Sequence, residues 1–160
     1  GYNEIKAQSL SVLGTLIIPS QTSALVDSGN TLIAIPKAYF NAIQQAYRSK
    51  GVNCVLQLES NPSFSNMICK TFNKDLFGKV TFRINNVDFT LEKTELIDAC
   101  NTNADLSYTC KMVLEFHTVN FGLILGQPFL KKFTARFNMD RKTISFEMPI
   151  VDYFDTRSWL

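Results

Sequence analysis

Between Val80 and Leu91 the chain reads Val-Thr-Phe-Arg-Ile, Asn-Asn, Val-Asp-Phe-Thr-Leu, so apolar and polar side chains alternate on both sides of Asn85-Asn86. A period of two puts one set of side chains on one face of a strand, and asparagine tolerates the left-handed backbone that a two-residue hairpin turn demands. A hairpin with one apolar face is marginal alone and needs further strands or a helix over that face. The rest of the sequence supplies them. Ile5, Ala7, Leu10 and Val12 precede a Leu13-Gly14-Thr15 turn, and Leu16-Ile17-Ile18 precedes a Pro19-Ser20-Gln21-Thr22 turn. Ala24-Leu25-Val26, Leu32-Ile33-Ala34-Ile35, Met112-Val113-Leu114 and Phe121-Gly122-Leu123-Ile124-Leu125-Gly126 are further short extended runs. Residues 134–138 and 143–147 form a closing hairpin turned at Met139-Asp140-Arg141-Lys142. The expected fold is mostly β, with one or two short helices. The first helix follows Pro36, where Tyr39, Phe40, Ile43 and Tyr47 fall at helical spacing ahead of Gly51, and the second candidate surrounds Pro128-Phe129-Leu130-Lys131.

At 160 residues, 46% of them hydrophobic and 19% charged, the chain is long enough for one packed domain or one half of a two-lobed protein, and too apolar to stay disordered. It lacks a run of 18 apolar residues, so no membrane span is expected, and its first residues do not read as a signal peptide. With a net charge of +2 and no basic stripe, nucleic acid is not an expected partner. The four cysteines, Cys54, Cys69, Cys100 and Cys110, lack CxxC spacing and His117 is the one histidine, so two disulfides in an oxidising compartment are expected rather than a metal site. Short loops close most readily, which favours Cys54 with Cys69 and Cys100 with Cys110. The polar stretch of residues 51–70 is then a disulfide-pinned surface loop or hairpin, and the stretch around the last two cysteines a looser one.

Asp27 directly follows an apolar run and opens a turn, Asp27-Ser28-Gly29-Asn30, with Leu32-Ile33 beyond. Apolar sequence on both sides puts this turn in the interior, where an acid needs hydrogen-bond donors or a chemical task. His117 reads as a satisfied or surface histidine, Glu92-Lys93-Thr94-Glu95 as a solvated helical turn, and Asp152 and Asp155 as part of a solvated end.

Three motifs together carry a resemblance. The Asp27-Ser28-Gly29 turn with its Pro36-led helix, the string Leu123-Ile124-Leu125-Gly126-Gln127-Pro128-Phe129-Leu130, and the closing hairpin (Phe133 to Asn138, Arg141 to Phe146) resemble the C-terminal lobe of a pepsin-like aspartic protease in order and spacing. The resemblance covers residues 2–147 and implies a lobe over 1–147 followed by a tail over 148–160. It implies that Asp27 is one of two catalytic aspartates sharing a proton around a water, the other coming from an N-terminal lobe. Ser28 would bond across the lobe interface, Gly29 lets the backbone pass close to substrate, Thr31 lies along the groove, and Leu25 and Asn30 complete the substrate-binding set. Asn30 stands where the family usually has Ser or Thr to bond the outer carboxylate oxygen, a bond that an amide can also donate. The resemblance further implies no cofactor, a polypeptide substrate, a secreted, endolysosomal or vacuolar location, and Cys69–Cys100 with Cys54–Cys110 as an alternative disulfide set. One carboxylate cannot be both acid and base, so the chain alone is expected to be inactive. A non-catalytic peptide- or protein-binding module is the alternative function, and a homodimer carrying two copies of Asp27 is less favoured because chains of that kind are shorter.

Overall fold

The computed structural model describes residues 3–147 and the backbone of Ser158–Trp159. The strands are β1 Glu4–Ala7, β2 Ser9–Val12, β3 Thr15–Ile18, β4 Thr22–Val26, β5 Ile33–Pro36, β6 Asn53–Leu58, β7 Phe64–Thr71 and β8 Val80–Ile84. They continue as β9 Val87–Leu91, β10 Ile97–Thr102, β11 Tyr108–His117, β12 Leu123–Leu125, β13 Thr134–Asn138, β14 Thr143–Glu147 and β15 Ser158–Trp159. The helices are α1 Phe40–Arg48 and α2 Gln127–Lys132. Asp152 and Asp155 lie outside the described residues.

The chain is mostly β, as its alternation requires. In β8 every second residue is buried, and Asn85 and Asn86 take φ of 51° and 62°, the left-handed pair that a two-residue hairpin uses. The β8–β9 hairpin extends through β2 to β3 as one small sheet. A larger sheet runs β1-β4-β12-β5-β11-β7-β6, with β10 paired to β11 as well. The ten-residue β11 takes β10 along its first half and β5, in parallel, along its second. The third sheet, β13-β14-β15, continues the closing hairpin.

Helix α1 buries Phe40, Ile43 and Tyr47 of the expected set together with Ala46, while Tyr39 is half-buried just ahead of it, and the chain leaves through Gly51 at φ 84°. The abundance of phenylalanine has a local cause. Phe82 and Phe89 of the hairpin, Phe129 of α2, Phe133 and Phe146 of β14 are all fully buried or nearly so, with ring centroids 4.9–5.8 Å apart. This cluster joins α2 to two sheets; rings in such edge-to-face and tilted contacts add to the stabilisation that area burial alone provides.

The segment around Cys54 and Cys69 is a disulfide-pinned hairpin, as expected of residues 51–70, whereas the stretch around Cys100 and Cys110 is more regular than the loose one expected. The residues around Cys54 and Cys69 are the β6–β7 hairpin, in which Ser65, Met67, Cys69 and Thr71 are buried at every second position, and the residues around Cys100 and Cys110 are the β10–β11 hairpin. Composition hid the second hairpin, because β10 is an edge strand whose residues are all exposed or only half-buried. The bridges are Cys54–Cys69 and Cys100–Cys110. In register, Cys54 stands opposite Cys69, Cys69 opposite Cys110, and Cys110 opposite Cys100, one row across four strands. The alternative set, Cys69–Cys100 with Cys54–Cys110, is excluded. Each of its bridges would skip a strand and span about 9–10 Å, beyond the roughly 7 Å between Cα atoms that a disulfide tolerates.

Candidate active site

The large sheet fixes the Asp27 turn by putting a third strand between the two that flank it. Strand β4 leads into the turn and β5 leads out, yet β12 lies between them, parallel to β4 and antiparallel to β5. The turn therefore crosses over the end of β12, and the chain leaving β12 must pass beneath it. Asp27 N donates to the Leu125 carbonyl (3.1 Å), Gln127 N to the Asn30 carbonyl (2.9 Å), and Gln127 Nε2 to the Ser28 carbonyl (3.2 Å). Gly126 makes that passage possible. A Cβ there would overlap the carbonyl oxygens of Leu32 and Asn30 and stand 3.0 Å from the Asn30 carbonyl carbon. Gly122, at the other end of β12, is crowded in the same way by the backbone of Ser23, whose carbonyl carbon a Cβ would meet at 3.2 Å.

Within the turn, Asp27 Oδ1 accepts from Gly29 N at 2.9 Å, and Asn30 N donates to the Asp27 carbonyl at 3.2 Å. This is the aspartate-led turn in which a carboxylate bonds the backbone two residues on. A Cβ on Gly29 would lie 3.1 Å from that carboxylate oxygen, so glycine leaves the acid's flank clear. Asp27 and Asn30 are half-buried, while Ser28, Gly29 and Thr31 are exposed. The turn is thus at the surface and not in the interior as its apolar flanks suggested. Those flanks, Ala24, Val26 and residues 32–35, are buried in the sheet, and the turn projects from its end. Leu25, half-buried on β4, stands opposite Glu4 and Ile124. Thr31 lines a cleft of about 390 Å³ with Ile97, Val113, Pro128 and Lys131 among others. A cleft of about 460 Å³ between Lys6, Gln8, Asn86 and Lys142 contains none of the expected site residues.

Behind the turn lies a group the sequence reading missed. The side-chain amide of Asn30 donates to the carboxylate of Glu115, which is 3% exposed on β11 and in turn shares a hydrogen bond with Glu59 at the end of the β6–β7 hairpin. Burial, then the neighbouring Glu59 carboxyl, pushes Glu115 up to about 8, against the opposing pull of Asn30 and Lys111. Glu59 Oε2 and Asn66 Oδ1 are also buried, with no hydrogen-bond partner among the described residues. The available signal is an acid inside the otherwise apolar run Met112-Val113-Leu114-Glu115-Phe116.

His117 is a core histidine, 1% exposed, whose Nε2 donates to the Gly122 carbonyl at 2.6 Å. The Glu92-Lys93-Thr94-Glu95 cluster falls on a short 3₁₀ helix, Lys93–Leu96, capped by Glu92 and solvated at Glu92, Lys93 and Thr94, whereas Glu95 accepts from Lys132 Nζ at 2.7 Å. Among the described residues, no three or more His, Cys, Asp or Glu side chains gather as metal ligands do, and no helix is long and apolar enough to cross a membrane.

Comparison with known proteins bears on this geometry. The chain is 26% identical over 132 residues to Aspartic protease Bla g 2 of Blattella germanica, an alignment covering 82% of this chain and 34% of that protein. The chain thus spans about a third of the length of the curated relative it matches. The family described as eukaryotic aspartyl protease matches residues 1–148, which take in the Asp27 turn, the Gly126 crossing and both strands of the closing hairpin. With nearly its whole length inside that match, and a pepsin-like lobe as its fold, the chain belongs to the eukaryotic aspartyl protease family.

Proposed function

We propose that this chain is the C-terminal lobe of an aspartic endopeptidase and that Asp27 is one of the two carboxylates which share a proton around the attacking water. The supporting observation is the turn held against Leu125 and Gln127, which presents one carboxylate at an open surface and fixes it through backbone bonds. Two acids about 3 Å apart do not both ionise, so one is left as base toward the water and the other as acid toward the substrate carbonyl. The second carboxylate belongs to an N-terminal lobe, from the same precursor or a separate chain. Leu25, Ser28, Gly29, Asn30 and Thr31 form this lobe's half of the peptide cleft, and no cofactor takes part. The lobe occupies residues 1–147, with 148–160 as a tail. Two disulfides and the family fit an oxidising compartment, and a secreted or endolysosomal or vacuolar enzyme is the reading we adopt.

A second reading, a non-catalytic peptide-binding module, draws on Asn30, whose amide is directed at Glu115 rather than held for a substrate-side task. One experiment separates the two. In the complete two-lobed protein, Asp27→Asn keeps the shape and removes the ionisable group, so turnover of a denatured protein substrate at acidic pH is expected to fall at least a thousandfold, or about 4 kcal/mol of transition-state stabilisation. Peptide-like inhibitors should still bind, though more weakly. Retention of more than a tenth of the turnover would end the catalytic assignment, and a wild-type protein that binds peptide without cleaving it would favour the module.

A further inference from the structure

The row Cys54–Cys69–Cys110–Cys100 places two disulfides end to end, with the two inner sulfurs on directly paired strands. Cys54, Cys69 and Cys110 are at most 2% exposed and belong to the core, whereas Cys100 is only half-buried. Solvent therefore reaches the row from one end. In both bridged pairs the Cα atoms are 4.1 Å apart, the close spacing of residues that do not exchange backbone hydrogen bonds. In an antiparallel strand a residue's N–H and C=O both point to the same neighbour. Cys69 and Cys110 accordingly direct theirs at each other, with Cα atoms about 5.5 Å apart, inside the range that a disulfide spans.

We propose that the four cysteines form an exchange relay, in which reduction of the Cys100–Cys110 bridge is passed inward to leave a Cys69–Cys110 bridge and free thiols at Cys54 and Cys100. A dithiol or phosphine reductant supplies the two electrons and cleaves the half-exposed bridge, giving thiols at Cys100 and Cys110. The Cys110 thiolate attacks Cys69 Sγ; the Cys69–Cys110 bond forms as the Cys54–Cys69 bond breaks, and Cys54 leaves as a thiolate that takes up the proton Cys110 released. Displacement at sulfur runs in line, and the row aligns the attacking, central and leaving sulfurs across three neighbouring strands. The product ties β7 to β11 and frees β6 and β10 from their covalent ties. Because the last step neither gains nor loses electrons, a single two-electron reduction suffices.

The test is partial reduction of the folded protein with one equivalent of phosphine, trapping with N-ethylmaleimide at increasing delays, and peptide mapping without further reduction. Label is expected first at Cys100 and Cys110, then at Cys54 and Cys100, with a Cys69–Cys110 linked peptide reaching about one molecule in ten or more. In Cys110→Ser, label should stay at Cys100 with the Cys54–Cys69 bridge intact. Cys100→Ser, which leaves Cys110 free from the start, should yield the Cys69–Cys110 peptide with no reductant. The proposal is overturned if label remains at Cys100 and Cys110 at every delay, or if Cys54 and Cys69 are labelled together. Should Cys100→Ser not fold, the wild-type time course alone decides.

Discussion

Replacing Gly126 by alanine tests whether the crossing beneath Asp27 is what holds the turn. Gly126 has φ of −94°, which any residue can adopt, so the whole cost of a methyl group there is steric. The new Cβ collides with backbone carbonyls of Leu32 and Asn30, which unlike the end of a side chain cannot swing aside. Either the crossing strand or the turn must move, and the bonds that the two share lengthen: Gln127 N to the Asn30 carbonyl (2.9 Å) and Asp27 N to the Leu125 carbonyl (3.1 Å). Two weakened backbone bonds cost about 2 kcal/mol and overpacking about 1–3 kcal/mol more, so the loss is about 3–5 kcal/mol. Gly14 is the matched control: its φ of 79° is left-handed, but a Cβ there meets nothing within 4 Å, so Gly14→Ala carries only the backbone penalty of about 1–2 kcal/mol. Urea unfolding at unchanged m should place the Gly126→Ala midpoint below wild type by roughly twice the Gly14→Ala shift or more. In hydrogen exchange the Asp27 amide of the Gly126 variant should lose protection while amides of β8 and β9 keep theirs. If the two alanine variants are equally stable, the crowding inferred at residue 126 is wrong.

Phe129→Ala removes the ring that touches Phe82, Phe89, Phe133 and Phe146 and should cost about 3–5 kcal/mol in the same assay; a loss below about 1 kcal/mol would mean the aromatic cluster closes over the gap. Removing the Cys54–Cys69 bridge by a double alanine change opens a loop with a sequence separation of 15 and should cost about 3 kcal/mol on the chain-entropy account, read as a fall in melting temperature that is absent when the protein is compared under full reduction. Glu115 binds its proton more tightly folded than unfolded, so its contribution to stability is fully present below pH 4.5, declines through the window up to about 8, and is lost above it. The slope is at most about 1.4 kcal/mol per pH unit, and Glu115→Gln should flatten it in melts at pH 5, 6, 7 and 8; an unchanged slope would show that another group titrates there.

The parts legible in the sequence are those whose information is local. Alternation from Val80 to Leu91 gives the buried face, and Asn85-Asn86 gives the turn, because both depend on residues within a strand's length of each other. Helix α1 is legible for the same reason. A period of two does not say which strand lies beside which, so the insertion of β12 between β4 and β5 could not be read from the residues alone, nor could the aligned cysteine row, since Cys69 and Cys110 become neighbours only through the pairing of β7 with β11. Composition and flanks mark the Asp27 turn as a candidate site but point it to the interior, because they do not show that buried strands end in a solvated turn. Glu115 was missed because its partners, Asn30 and Glu59, are distant in sequence.

The parallel pairing of β12 with β4 sets an order on synthesis. Leu25 has no partner on that side until Ile124 has been made, 99 residues later by subtraction of their numbers. At about 5–20 residues per second, a ribosome needs about 5–20 s to deliver it. Throughout that interval β4 can pair with β1 but offers its other edge to any extended segment nearby, the circumstance in which strands pair wrongly. The turn bearing Asp27 is then among the last parts of the lobe to acquire its shape, however early its residues leave the ribosome. Nascent chains stalled before Leu123 should show an unprotected Asp27 amide, and chains extended past Gln127 and clear of the exit tunnel a protected one. A premature stop anywhere in β12 would leave every residue of the turn in place and nothing beneath it.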